Sequence, residues 1–179
     1  FGTFTAADGS MVKGEINRFL KGDPTAGPFL SSFFPIMIFG LPAACLAMYA
    51  AAKKEKKKLV GGMFVSIALT AFLTGVTEPI EFTFMFLSPV LYGIHALLTG
   101  MSLVLANALG IHHGFGFSAG LIDYVLNFGI AQNPLLIIPL GLVIAAIYFV
   151  IFYFLIVKLD LKTPGREDDD LEAEKSAVL

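Results

Sequence analysis

Two carboxylates three residues apart, Glu78 and Glu81, lie in the string Gly75-Val-Thr-Glu-Pro-Ile-Glu-Phe82. Between Leu59 and Val157 the chain has no Lys and no Arg, and its only other acid there is Asp123. A carboxylate at bilayer depth costs a few kcal/mol on insertion scales, so it faces a bundle interior or a watery cavity and marks a pathway. With no cation nearby, Glu78 and Glu81 have three kinds of partner open to them: backbone N–H groups, hydroxyls of a polar substrate, or a captured proton. Pro79 lacks an N–H and suits the first helical position, which makes Thr77 or Glu78 the boundary residue. Glu81 then falls near the third position, where a carboxylate meets free N–H groups and the helix dipole, and we expect it to cap. Glu78 is expected outside the helix, at the tip, free to accept from two vicinal sugar-type hydroxyls. A turn carboxylate is its plainer alternative.

The remaining reactive side chains point to less. Cys45 is the sole cysteine and lies in an apolar run, so we read it as a small buried thiol, with no disulfide, metal site or phosphoryl-carrying role. His112 and His113 are adjacent and would point in different directions, beside Gly110, Gly114 and Gly116 in a turn-forming loop. His95 reads as a hydrogen-bonded core residue. Asp123 either caps a helix starting near Leu121 or lines the cavity. Gly-Phe-Gly-Phe at 114–117 lacks the Lys of a phosphate loop. No nucleophile triad, zinc spacing or nucleotide fingerprint is present, so we expect no cofactor, no metal, no catalytic residue and no nucleic-acid partner.

The elements that must hold these groups are membrane helices. The chain is 56% hydrophobic, above the apolar share of a soluble domain. Its 18 Phe and absent Trp leave Tyr49, Tyr92, Tyr124 and Tyr153 for the interface belts. Phe1 to Gly27 shows neither a basic start nor an apolar run of signal-peptide type, and the chain reads as a piece of something longer. Four apolar blocks follow. The first, Pro28 to Ala52, holds Pro35, Gly40 and Pro42 and should be kinked or broken. The others are Leu59 to Gly75, Thr83 to Leu109, and Pro134 to Val157.

Five lysines in the six residues Lys53 to Lys58 form a loop of cytoplasmic type, as do Lys158, Lys162 and Arg166 after the last block. Three full crossings between these anchors would put the tail on the wrong side. A re-entrant element or a fourth membrane element is therefore expected: either the Thr-Glu-Pro turn is the tip of a hairpin that does not cross fully, or His112 to Asn133 enters the membrane. Such broken elements are tolerated only against protein or a cavity, and they build transporter sites.

The string 75–82, with Phe84-Met-Phe-Leu-Ser-Pro89 and Leu91-Tyr-Gly-Ile-His95, resembles the membrane subunit IIC of the bacterial sugar phosphotransferase system, glucose superfamily. Leu159-Asp-Leu-Lys-Thr-Pro-Gly-Arg-Glu-Asp168 is similar to that family's linker to the cytoplasmic IIB domain. Within the family, Phe33 to Pro42 and Leu109 to Tyr124 look most like the N-acetylglucosamine branch. The resemblance implies an all-α polytopic fold with broken or re-entrant hairpins. Residues 1–160 would be the C-terminal part of the membrane domain, and 161–179 a charged cytoplasmic linker that stays solvated over Arg166 to Glu174. It implies a homodimeric permease of the bacterial inner membrane, C-terminus cytoplasmic. Thr77 and Glu78 would contact the sugar, Pro79 and Glu81 would support them, and phosphorylated IIB would be the partner. It also implies a further substrate-binding histidine before Phe1, and no transport by this piece alone.

Other classes remain. A glucose- or maltose-specific relative shares the framework. A proton-coupled transporter would use Glu78 and Glu81 for the coupling proton. A membrane enzyme using them as acid and base is disfavoured, because residues three apart near a helix start lie on similar sides rather than across a substrate.

Overall fold

Pro, Gly and the apolar blocks partition the chain much as their chemistry suggests. The computed structural model describes residues 2–168. A β-hairpin opens it, β1 (Thr3–Thr5) antiparallel to β2 (Met11–Lys13), followed by the short helices α1 (Glu15–Leu20) and α2 (Pro28–Ser31). A π-helical turn, Pro35–Gly40, leads into α3 (Leu41–Ala51). Then come α4 (Lys57–Thr74), α5 (Glu78–Met85), α6 (Pro89–Ala108), α7 (Leu121–Leu126) and α8 (Ile137–Lys158). The small hairpin aside, this is an all-α polytopic membrane fold. Among the described residues, four stretches are long and apolar enough to cross a membrane: Pro28–Ala51, Lys57–Thr74, Pro89–Ala108 and Pro134–Lys158.

The first block stays helical from Pro28 to Ala51 but is loosened at its prolines. Pro42 cannot donate to the carbonyl of Ile38, and the preceding turn relaxes instead: the N–H of Leu41 reaches Ile36, five residues back. This loosened turn lies against α8 with almost no side-chain space between them. A Cβ on Gly141 would come within 2.2 Å of the Phe39 ring, and one on Gly40 within 2.9 Å of Tyr148. Small residues at such contacts let membrane helices approach closely. The pairs Phe39–Gly141 and Gly40–Ile144, with Arg166 beyond α8 bonded to Ala51, show that α3 and α8 run parallel. Leu41, Ala44, Ala47, Met48, Ile144, Tyr148, Phe152 and Ile156 fill the seam.

The third block does not start at Thr83. Residues 83–85 complete α5, and a new helix starts at Pro89 behind Ser88, whose Oγ accepts the N–H of Leu91 at 3.3 Å. Hydropathy runs unbroken through this junction, which is why it reads as one block; the Ser-Pro cap divides it. At eight residues, or about 12 Å, α5 is too short to cross. Its Phe84 reaches Phe152 on α8 at 5.1 Å between ring centres. From the turn at 86–88, α6 then returns: His95 meets Tyr148, Ser102 bonds Ser32, and Asn107 bonds Pro28. The end of α4 at Gly75 abuts 118–120, and Ile111, just past α6, bonds Ser31. Thus the start of α5 and the end of α6 lie at one end of the bundle, while α4 and α8 each run from that end to the basic segments at the other.

Those basic segments meet. Lys53 and Lys56 donate to the carbonyl of Glu167 at 2.9 and 3.2 Å, Lys53 N–H reaches Gly165 at 2.9 Å, and Arg166 reaches Ala51 at 2.8 Å. Lys162 and Arg166 hold the Asp160 carboxyl below the usual carboxylate range. Of the run expected to stay solvated, Arg166 and Glu167 are half-buried against the lysine loop and Asp168 is exposed, while Thr163 and Gly165 before them are buried. The expected linker beyond Asp168, including 169–174, lies outside the described residues.

Candidate functional site

The polar turn is built by the end of one helix and the start of the next. Gly75 closes α4 at φ 74°, a left-handed position that glycine adopts without strain. Ser118 Oγ donates to the Gly75 carbonyl at 2.9 Å, so the loop 118–120 fastens the turn from outside. Thr77 is the N-cap of α5, Glu78 its first residue and Pro79 its second. The N–H groups of Ile80 and Glu81 both reach the Thr77 carbonyl, at 2.9 and 3.0 Å.

Side-chain placement departs from the expectation at two points. Glu78 is inside the first helical turn rather than before it, and its side chain is exposed. Glu81 does not cap. Its Oε1 accepts the buried Thr77 hydroxyl at 2.9 Å and lies 3.9 Å from His95 Nε2. Pro79 at the second position removes one donor that a capping carboxylate would serve, and Glu81 is one residue too far along to turn back. Thr77, Glu78, Pro79 and Glu81 are thus one local cluster, extended into the bundle by His95. The other ring nitrogen of His95, Nδ1, lies 2.8 Å from the hydroxyl of Tyr148.

Tyr148 escaped the sequence reading. It sits 53 residues from His95 in an uninterrupted apolar run, and nothing local marks it. The other singled-out residues are structural here. Asp123 is buried and accepts the N–H groups of Gly116 at 2.8 Å and Ser118 at 3.2 Å, which settles it as an organiser of the glycine-rich loop rather than a cap. His113 is buried between Phe34 and Tyr124, with both nitrogens near backbone carbonyls. His112 Nδ1 lies 2.9 Å from the Pro24 carbonyl. Cys45 is buried in α3. Among the described residues no three His, Cys, Asp or Glu side chains are placed to hold a metal.

The polar cluster lies at a helix start inside an apolar helical bundle, the arrangement of a polytopic membrane protein with a break buried against its neighbours. Residues 2–100 match the family described as "Phosphotransferase system, EIIC", and the chain belongs to that family. It is 62% identical over 161 residues to the PTS system N-acetylglucosamine-specific EIICB component of Bacillus subtilis (strain 168), covering 90% of this chain and 36% of that protein. It is 60% identical to the N-acetylglucosamine-specific EIIC component of Streptomyces coelicolor, covering 94% of this chain and 41% of that one. A glucosamine-specific EIICBA component of Bacillus subtilis is 50% identical over 172 residues. The chain therefore spans roughly two-fifths or less of the length of these relatives.

Proposed function

We propose that this chain is the sugar-handling C-terminal part of an EIIC permease, one that takes up N-acetylglucosamine for phosphorylation by a IIB domain. The observation that carries the reading is the exposed Glu78 beside the buried Thr77 and the half-buried Glu81 bonded to it, at a helix start within an apolar bundle. Thr77 and Glu78 are the residues that meet the sugar; Glu81 and Pro79 support them. N-acetylglucosamine is favoured over glucose because relatives named for it match at 57–62% identity, against 49% for one named for glucose.

The rest of the reading follows the family. The basic loop and the segment after α8 face the cytoplasm, residues 161–179 lead toward IIB, and the intact protein is a homodimer in the bacterial cell membrane. Cys45 has no part in phosphoryl transfer.

The test is equilibrium binding of radiolabelled N-acetylglucosamine to the full-length protein. Glu78→Gln keeps the shape and removes the charge, and the loss of a charge-assisted hydrogen bond, about 1.5–3 kcal/mol, weakens binding by tenfold or more. Membrane insertion stays intact. Wild-type affinity in Glu78→Gln would overturn the assignment.

A further inference from the structure

Behind the exposed Glu78, side chains from the turn and from three helices lie in one line. The Tyr148 hydroxyl of α8 is 2.8 Å from His95 Nδ1 of α6, and His95 Nε2 is 3.9 Å from Glu81 Oε1 of α5. The Thr77 hydroxyl donates to that same Glu81 oxygen at 2.9 Å. Tyr148 is fully buried with its ring stacked on Phe152 at 5.4 Å, and Phe84 packs edge-on against His95 at 5.8 Å. Neither ring is free to swing.

Donor and acceptor chemistry gives the line a direction. Glu81 Oε1 is beyond hydrogen-bond distance of Nε2, but a carboxylate only accepts, so a neutral His95 is favoured with its hydrogen on Nε2, the positive edge turned toward Glu81. Nδ1 then accepts, and the Tyr148 phenol donates to it. Every hydrogen in the line points toward Glu81. Thr77 has a single hydroxyl hydrogen and spends it on Glu81, so its oxygen is left with lone pairs only.

We propose that His95 and Tyr148 are positioning residues for sugar binding, acting through Glu81 to hold Thr77 as a hydrogen-bond acceptor beside Glu78. A substrate matched to this arrangement presents adjacent donors, two hydroxyls or a hydroxyl and an amide N–H. The proposal rests on the sugar-site reading above and deepens it.

The experiment is binding of radiolabelled N-acetylglucosamine to full-length His95→Asn, His95→Gln, Tyr148→Phe and His95→Gln/Tyr148→Phe, with Glu78→Gln alongside and unfolding midpoints recorded for each. The Gln amide nitrogen stands where imidazole Nε2 stood; the Asn amide cannot reach Glu81. His95→Asn is expected to weaken binding about tenfold or more, while His95→Gln stays within about threefold of wild type. Tyr148→Phe weakens binding when His95 is present and adds nothing on top of His95→Gln, because it acts only through the imidazole. Equal losses in His95→Asn and His95→Gln would mean a packing role and overturn the proposal. Wild-type binding in His95→Asn, with Glu78→Gln still defective, would overturn it and leave the sugar site standing. Wild-type binding in Glu78→Gln would remove both.

Discussion

Asp123 shows how much one buried carboxylate can organise. Its two oxygens take the N–H groups of Gly116 and Ser118, and its neighbour four residues on, Asn127, donates to it at 3.3 Å. Asp123→Ala removes the acceptor of two backbone donors in a loop where Gly116 is exposed and Ser118 half-buried, so the loss is that of two ordinary hydrogen bonds, about 0.5–1.5 kcal/mol each. The unfolding midpoint of the full-length protein in detergent should fall clearly, and fall less in Asp123→Asn, which keeps one acceptor oxygen. An unchanged midpoint in Asp123→Ala would show that the loop does not depend on it. Glu78, Glu81 and Asp123 stand out in the sequence because charge is so scarce around them. Their roles do not stand out, since what separates an exposed acceptor, a relay member and a loop organiser is which distant groups face them. Tyr148 and Ser118 are the partners concerned, and neither has any local sign of it.

The helices were legible where chemistry is local. Pro35 and Pro42 mark where the first block is loosened, and Gly75 ends α4 where expected. The α5–α6 junction was not, because Phe84 to Leu91 is apolar throughout apart from Ser88. Hydropathy cannot distinguish a hairpin tip against Phe152 from the middle of a span. The β-hairpin before α1 was likewise hidden, its strands being three residues each.

One contact ties these elements to the site: a Cβ on Gly120 would fall 2.4 Å from Gly75 N and 2.6 Å from the Leu73 carbonyl, both backbone. Gly120→Ala therefore has to push the α7 loop away from the α4 end, at an overpacking cost of about 1–3 kcal/mol. It should also weaken sugar binding in the full-length protein, since Thr77 lies two residues beyond Gly75. Gly129→Ala, where the new Cβ meets open space, is the control and should do neither. Sugar affinity retained in Gly120→Ala would uncouple that loop from the site.

For the molecule as a whole, the meeting of the basic segments at one end fixes a sidedness that can be checked chemically. Lys54 and Asp168 are exposed at the end where the lysine loop meets the residues after α8, and Phe117 is exposed in the loop at the opposite end. In a Cys45→Ser background, cysteines at 54 and 168 should react with an impermeant maleimide from one face of the membrane, and a cysteine at 117 from the other. Labelling of 54 and 168 from opposite faces would overturn that shared end.

The tie between the end of α3 and the residues after α8 also has a mechanical meaning. Two parallel helices joined at one end behave as a single arm. Tension applied beyond Asp168 does not arrive at the C-terminus of α8 alone; through Arg166 and the Glu167 carbonyl it is shared with the Ala51–Lys56 corner of α3. At the other end of that arm, the π-helical turn at Pro35–Gly40 is the weakest-wound stretch of the pair. Yet Phe39 and Gly40 of that turn are seated on Gly141 and Ile144 of α8, so a pull or push delivered at the basic end would carry the turn and both helices along as one body.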